Sequence, residues 1–503
     1  MPLFVRSQRL LPAVVSLVLV IALSGIGAAA VAQAPQPIAG AVQQAFEPVR
    51  AGSDVMENVA LPDDPARPKL SVQVVDVGRK AAEPTVGIQR DGTAYFAAAD
   101  FDGIVAGTGA RTELLRSMDG GLTWQSVQPP APVVKSVPPA NADPYVWVDT
   151  TTDRVFNVDL AGCGYMQASD DDGATWSTSL AGCGDSVDHQ TVFGGPPPAG
   201  LKIPKVGTAS YPNVLYYCTN RVVDSRCSRS FDGGKTWVTT ATPAYPGFDP
   251  AESGICNGLH GHGVVDKDGR IFLPKGHCAK PYVSISEDGG DTWTRVRVSN
   301  TPAGEAVLPP FSYAGAMQHT SVAVDEAGNV YYVWPDQTLR PWLSVSTDHG
   351  RTWGKPMLIA PPGINEVNFP TVDAGAAGDI AITFVGSPSS SPGVLGGGNA
   401  KRPWNYYVLS STNALDAQPL FLSTTANDPA DPIHRGDCFS RCGGMYDFID
   451  VVVAPAGEIW ATASDTCVSA GCKAGTSSGA DGGVGRGLAI RQIGGPLLRT
   501  PKQ

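Results

Sequence analysis

The chain has 503 residues, a formal charge of -11 and only 17% charged residues, with 58 Gly and 43 Pro. That acidity argues against a nucleic-acid surface and against attraction to an anionic membrane. Many turn formers and short Val, Thr and Tyr runs point to an all-β protein.

In chain order, residues 1–34 read as a secretory signal peptide. Arg6 and Arg9 precede an apolar run from Leu10 to Val31, and Ala32-Gln33-Ala34 is a small-x-small cleavage site. A secreted product, extracellular or periplasmic and without stable membrane insertion after cleavage, is the expectation. Residues 35–69 form an Ala/Pro-rich linker, read as mobile from Pro35 to Pro68. Residues 70–495 carry the periodic β signal, and 496–503 form a tail.

All ten cysteines follow the signal peptide, and an oxidising destination makes disulfides the default. They fall in near pairs: Cys163/Cys183, Cys218/Cys227, Cys256/Cys278, Cys438/Cys442 and Cys467/Cys472. The last four could also pair crosswise.

Five stretches obey Ser-x-Asp-x-Gly-x-Thr-Trp: "SMDGGLTW", "SDDDGATW", "SFDGGKTW", "SEDGGDTW" and "STDHGRTW". Around each, the same order recurs: strand, Gly or Asp turn, strand, loop, strand, motif, strand. Four short antiparallel strands at a period above about fifty residues make a β-propeller blade. Two further units lack a clean motif; "STNALD" is a worn copy in the sixth. The last unit supplies three strands, and Leu70 to Val77 is expected to add the fourth, closing a seven-bladed ring. Six blades is the alternative, because the last unit is divergent. Asp119, Asp171, Asp232, Asp288 and Asp348 are assigned as structural turn residues, accepting hydrogen bonds from the turn backbone.

These five copies resemble the Asp-box, or bacterial neuraminidase repeat, of the sialidase superfamily. The resemblance implies a propeller whose boxes lie on the face opposite the active site. Its members include sialidases, other glycoside hydrolases and non-catalytic binding propellers. Sialidases of the family grip a substrate carboxylate with three arginines and use a Tyr nucleophile activated by Glu, with an Asp acid/base. The family's Arg-Ile-Pro motif is absent here, where the first unit opens with "EPTVGIQRDG".

Function in a propeller sits where inner strands begin. Stepping back nine positions from Gly92, Gly269 and Gly328 gives Glu83, His260 and His319. Asp143, Asp188-His189, Asn368 and Tyr446-Asp447 stand before the inner strands of the other units, with His262 close to His260. The candidate catalytic set is His189, His260, His319, Asp143, Asp188, Asp447 and Tyr446. Imidazole with carboxylate suits acid–base work or a divalent metal; water lining the channel is the bland reading. Convergence of the three histidines beside Asp188 and Asp447 is expected to raise the imidazole pKa values. Arg221, Arg340 and Arg435, together with Arg111 and Arg441, are the loop arginines available for a substrate, and Glu252 the partner for Tyr446.

The reading is a monomeric propeller acting on carbohydrate or a glycoconjugate, with hydrolysis of a terminal acidic sugar as its enzymatic form. A non-catalytic glycan- or protein-binding propeller is the rival. No cofactor is required, with a divalent metal as the alternative.

Overall fold

The computed structural model describes residues 42–499 apart from 53–57, 101–110, 130–142, 161–162, 184–187, 205–210, 222–223, 253, 257, 301–319, 337, 389–401, 437–444, 446 and 478–484. The described chain is an all-β propeller of four-stranded antiparallel blades. The first unit runs Ala82–Ile88, Ala94–Asp100, Arg111–Ser117, Gln125–Ser126, from the axis outward. The next sheets start at the axis with Tyr145–Asp149, Asp188–Gly195, Val264–Val265, Ser321–Val324 and Glu366–Ala374. The last unit supplies Val451–Val453, Ile459–Asp465 and Arg486–Gly494. Its outer strand is Ser71–Lys80, with Ala489 opposite Val75 and Ile490 opposite Val74. The expected pairing of the N-terminal strand with the C-terminal one is therefore present.

Each inner strand packs against the next, and Val451–Val453 returns to Ala82–Ile88. Side chains on these strands accept backbone N–H groups from the following unit, which has no sheet partner on that edge. Thr85 Oγ1 accepts from Val146 N at 3.0 Å, and Ser321 Oγ from Val372 N at 3.1 Å. Asp373 Oδ2 accepts from Val453 N at 2.6 Å, and Asp450 Oδ2 from Val86 N at 3.1 Å, joining the last unit to the first. Apolar side chains fill the gaps between sheets; Trp334, Trp404 and Trp460 are wholly buried there.

The motif turns do what their residues predict. In the first, Asp119 Oδ1 accepts from Thr123 N at 2.9 Å and from Ser117 Oγ at 2.8 Å. Thr123 Oγ1 donates to Asp119 Oδ2, and Gly121 sits at φ 83°, which a side chain would oppose. Asp171, Asp232, Asp288 and Asp348 repeat the Thr N–H bond at 2.8–2.9 Å. In the worn copy Asn413 takes the aspartate's place and accepts from Leu420 N at 2.9 Å. Arginines of a neighbouring unit reach these turns, a feature the motif itself does not announce. Arg116 donates to the Asp172 carbonyl at 2.8 Å, Arg154 to Gly233 at 2.7 Å and Arg229 to Gly289 at 2.8 Å.

The segment from Pro35 to Pro68 departs from the linker expectation. Gln43–Glu47 adds a strand beside Phe421–Thr425, and Val49–Arg50 pairs with Met357–Leu358. Phe46 is wholly buried and stacks on Phe421 at 5.7 Å. A composition rich in Ala and Pro hid one aromatic anchor and an unpaired sheet edge waiting for it.

Disulfides join Cys218 to Cys227, Cys256 to Cys278 and Cys467 to Cys472. The last excludes crosswise pairing for Cys467 and Cys472. Cys163 is disulfide-bonded and stands opposite Cys183 in register. Cys438 and Cys442 lie outside the described residues. No described helix is long and apolar enough to cross a membrane.

Candidate functional site

The inner strands begin irregularly, and this places the site. Register slips occur between Ala82 and Thr85, Asp188 and Thr191, and Asn368 and Thr371. Inside these bulges Glu83, His189 and Phe369 take φ of 51°, 48° and 55°. Positive φ in non-glycine residues costs energy and re-aims the side chain. In the fourth unit a close backbone approach occurs at Gly261, between His260 and His262. A Cβ there would lie 2.0 Å from the Thr320 carbonyl oxygen. Only glycine lets the two backbones approach so closely.

Three carboxylates from three units meet at this end of the axis. Glu83, Asp143 and Asp447 each place an oxygen within 4.8 Å of the others, and all three are buried. Asp447 N donates to Glu83 Oε1 at 3.1 Å, and His189 N to Asp143 Oδ2 at 2.7 Å. Gln190 Nε2 donates to the Asp143 carbonyl at 2.8 Å, and Gln190 Oε1 accepts from Tyr217 Oη at 2.9 Å. Beside the carboxylates lies a layer of rings. His189 is 6.0 Å from His260, 6.0 Å from His262 and 5.2 Å from Phe448, and His262 is 4.2 Å from Tyr145.

Burial, with the charges of Asp188 and Asp447, pushes Asp143 up to about 8 despite its bonds from His189 and Glu83. Burial and like charge thus favour a proton within the trio. His260 moves the other way: burial, then His189 and Lys275, hold it well below 6.5. The expected rise of imidazole pKa is thus corrected for His260, because desolvation, with His189 and Lys275, outweighs the bond to the Gly261 carbonyl. His260 Nδ1 stands 2.8 Å from the Gly261 carbonyl, which fixes that nitrogen as the donor in a neutral ring. Lys275 Nζ, also buried, donates to Ser225 Oγ at 3.1 Å close by.

His189 and His260 therefore converge as expected. His319 and Tyr446 lie outside the described residues, as does Arg441. Asp188 is half-buried and within electrostatic range of Asp143. Among the described residues the group spaced for one cation is the carboxylate trio, not the histidines. A cation there would compete with protons for the trio.

Arg221, Arg340 and Arg435 belong to separate units. Arg221 donates its N–H to the Asp224 carbonyl at 2.8 Å, with its guanidinium 3.7 Å from that carboxylate. Arg340 N donates to Asp336 Oδ1 at 3.0 Å, and Arg435 pairs in register with Pro403. Glu252 is engaged in the fourth unit. It accepts from Tyr282, from Lys280 and, at 2.8 Å, from Arg297, which bring it to about 2 against the opposing effect of burial.

Sequence reasoning missed Phe369 and Phe448. Both stand nine positions before the turn glycines Gly378 and Gly457, so the signal was present.

No protein-family model matches the chain. A xyloglucanase from a Paenibacillus species is 30% identical over 259 residues, 48% of this chain and 23% of that protein. The chain thus spans under two thirds of that relative's length. Among solved structures, the GH74 enzyme of Niastella koreensis is 14% identical with a TM-score of 0.41, over 76% of this chain and 50% of that one. The intramolecular trans-sialidase of Ruminococcus gnavus is 14% identical with a TM-score of 0.40, over 84% and 96%.

Proposed function

We propose that this protein is an exported propeller that acts on carbohydrate where its inner strands begin, each of the seven sequence units forming one blade of a closed monomeric ring. The observation that carries the reading is the buried carboxylate trio, within which burial and neighbouring charges raise Asp143. Glycoside hydrolysis needs a protonated carboxyl beside an ionised one. In this reading Asp143 protonates the leaving oxygen, and Glu83 or Asp447 acts on the anomeric carbon. His189 positions Asp143 through its backbone N–H. No cofactor takes part; a divalent cation on the trio is the alternative that a chelator arm tests.

The partial likeness to a xyloglucanase supports a neutral glucan as the substrate class. An acidic sugar would need guanidinium groups converging on its carboxylate. A second reading, a non-catalytic glycan-binding propeller, is favoured by one observation: Asp143 is only 3% exposed.

The test is hydrolysis of xyloglucan oligosaccharides, aryl glucosides and aryl sialosides by the purified chain, with and without chelator. The proposal expects turnover of a glucan, reduced about 10²–10⁴-fold in Asp143→Asn, as for loss of a general acid. Binding without turnover selects the second reading. Turnover that is indifferent to Asp143→Asn overturns this centre.

A further inference from the structure

The inner strands also enclose a separate space. A cavity of about 870 Å³ follows the axis from the turns between first and second strands down to Tyr145 and His262. Its mouth shares a face with the motif turns: next to the rim residue Arg90, Gln89 Nε2 donates to Asp172 Oδ1 at 3.0 Å. The volume is that of a small-molecule site.

The walls are valines, Val86, Val148, Val264, Val322, Val372 and Val453 among them. Into this apolar sleeve project Asp149, Asp373 and Asp450. Their hydrogen bonds come from neutral donors. Asp149 accepts from Tyr211 Oη at 2.6 Å and Asn213 Nδ2 at 2.9 Å. Asp373 accepts from Val453 N at 2.6 Å; Asp450 accepts from Val86 N at 3.1 Å and Val451 N at 2.9 Å. A carboxylate offers about four acceptor positions, so Asp373 and Asp450 keep lone pairs to spare.

The cations of the lining are already engaged. Arg90 pairs with Asp153 at 2.7 Å, Lys267 with Asp268 at 3.0 Å and Arg499 with Glu326 at 2.9 Å. Of these, Arg499 is the one that acts on Asp373 electrostatically. Burial raises both deep carboxyls, Asp450 to about 7 and Asp373 in the same direction. The floor adds the Tyr145 ring, whose face attracts positive charge.

We propose that this axial cavity binds a small organic cation, a primary or quaternary ammonium ion, with its charge toward Asp373 and Asp450 and its carbon atoms against the valines. Buried carboxyls in an apolar sleeve discriminate by charge more than by shape, because an uncharged guest leaves their desolvation uncompensated.

The test compares choline with the uncharged alcohol in which carbon replaces its nitrogen. Binding is read by calorimetry and by the fluorescence of Trp147, which lines the cavity. Choline should bind saturably and at least about tenfold more tightly than its isostere. Asp373→Asn keeps an oxygen for the Val453 N–H and should erase most of that preference in a folded protein; Asp450→Asn, which keeps an acceptor for only one of the Val86 and Val451 N–H groups, should do the same in its folded fraction. Val322→Phe, which fills the sleeve, should abolish binding of both. Equal affinity for the two guests, or no saturable signal with folded wild-type chain, overturns the proposal. The wild-type comparison stands even if a variant fails to fold.

Discussion

The motif turns and the inner-strand starts are built on opposite logic. A motif turn is local: Ser, Asp, Gly, Thr and Trp within eight residues satisfy one another, and the turn aspartates remain near solvent. The inner-strand starts are non-local. Glu83, Asp143 and Asp447 are far apart in sequence and meet only when first, second and last units close around the axis. The first kind repeats and can be read from one chain. The second occurs once and is assembled by topology.

The largest expected effect sharpens this contrast. Gly261→Ala should cost about 3 kcal/mol or more, at the top of the overpacking range, because the clash is with backbone. The same change at Gly200, where a Cβ meets nothing within 4 Å, should cost no more than its positive φ demands. Chemical denaturation of both variants measures the difference. Equal costs would mean that the fourth and fifth units do not approach as described.

Next comes Trp237→Ala, at about 2 kcal/mol. The motif tryptophans are half-buried rather than enclosed, so the cost falls below the 3–5 kcal/mol typical of core aromatics. Trp237 packs beside Tyr217 at 6.4 Å and donates Nε1 to Ser179 Oγ at 3.0 Å. Glycan or choline binding by the folded fraction should be unchanged. Phe46→Ala, by contrast, removes a wholly buried ring and should exceed Trp237→Ala, although it lies in a stretch whose composition suggests a linker.

What the sequence disclosed follows the same division. Strand order, the turn chemistry and the closing strand at Ser71–Lys80 were legible because each is written in local periodicity. His189 and His260 were found by counting back from turn glycines. The pairing of Asp143 with Glu83 and Asp447 was visible only as a shared rim. The ring layer of Tyr145, Phe448 and His262 forms only when the units close, although Phe448 answers to the same nine-residue count. The arginine clamps on the motif turns were hidden for the same reason, since donor and acceptor belong to different units.

The smallest effect separates the two regions by sign. Burial opposes ionisation of Asp348, yet bonds from Thr352 and Ser346 bring it to about 2. A depressed carboxylate contributes stability above its unfolded value of about 3.9 and loses it as pH falls toward the folded value. Asp143 is the reverse. Burial, Asp188 and Asp447 raise it to about 8, so the fold binds a proton that the unfolded chain releases. Its contribution is complete below about 3.9 and fades as pH rises toward 8. Asp348→Asn should therefore flatten the acid limb of the stability profile, by a small amount because the group is exposed. Asp143→Asn should flatten the limb between about pH 4 and 8. His260, held neutral, works against Asp143 below about 6.5, so the difference between variant and wild type is the quantity to follow. Unfolding free energies measured from pH 3 to 8 give both slopes. If Asp143→Asn leaves the upper limb unchanged, Asp143 is ionised in the fold and the proton-holding centre is lost with it.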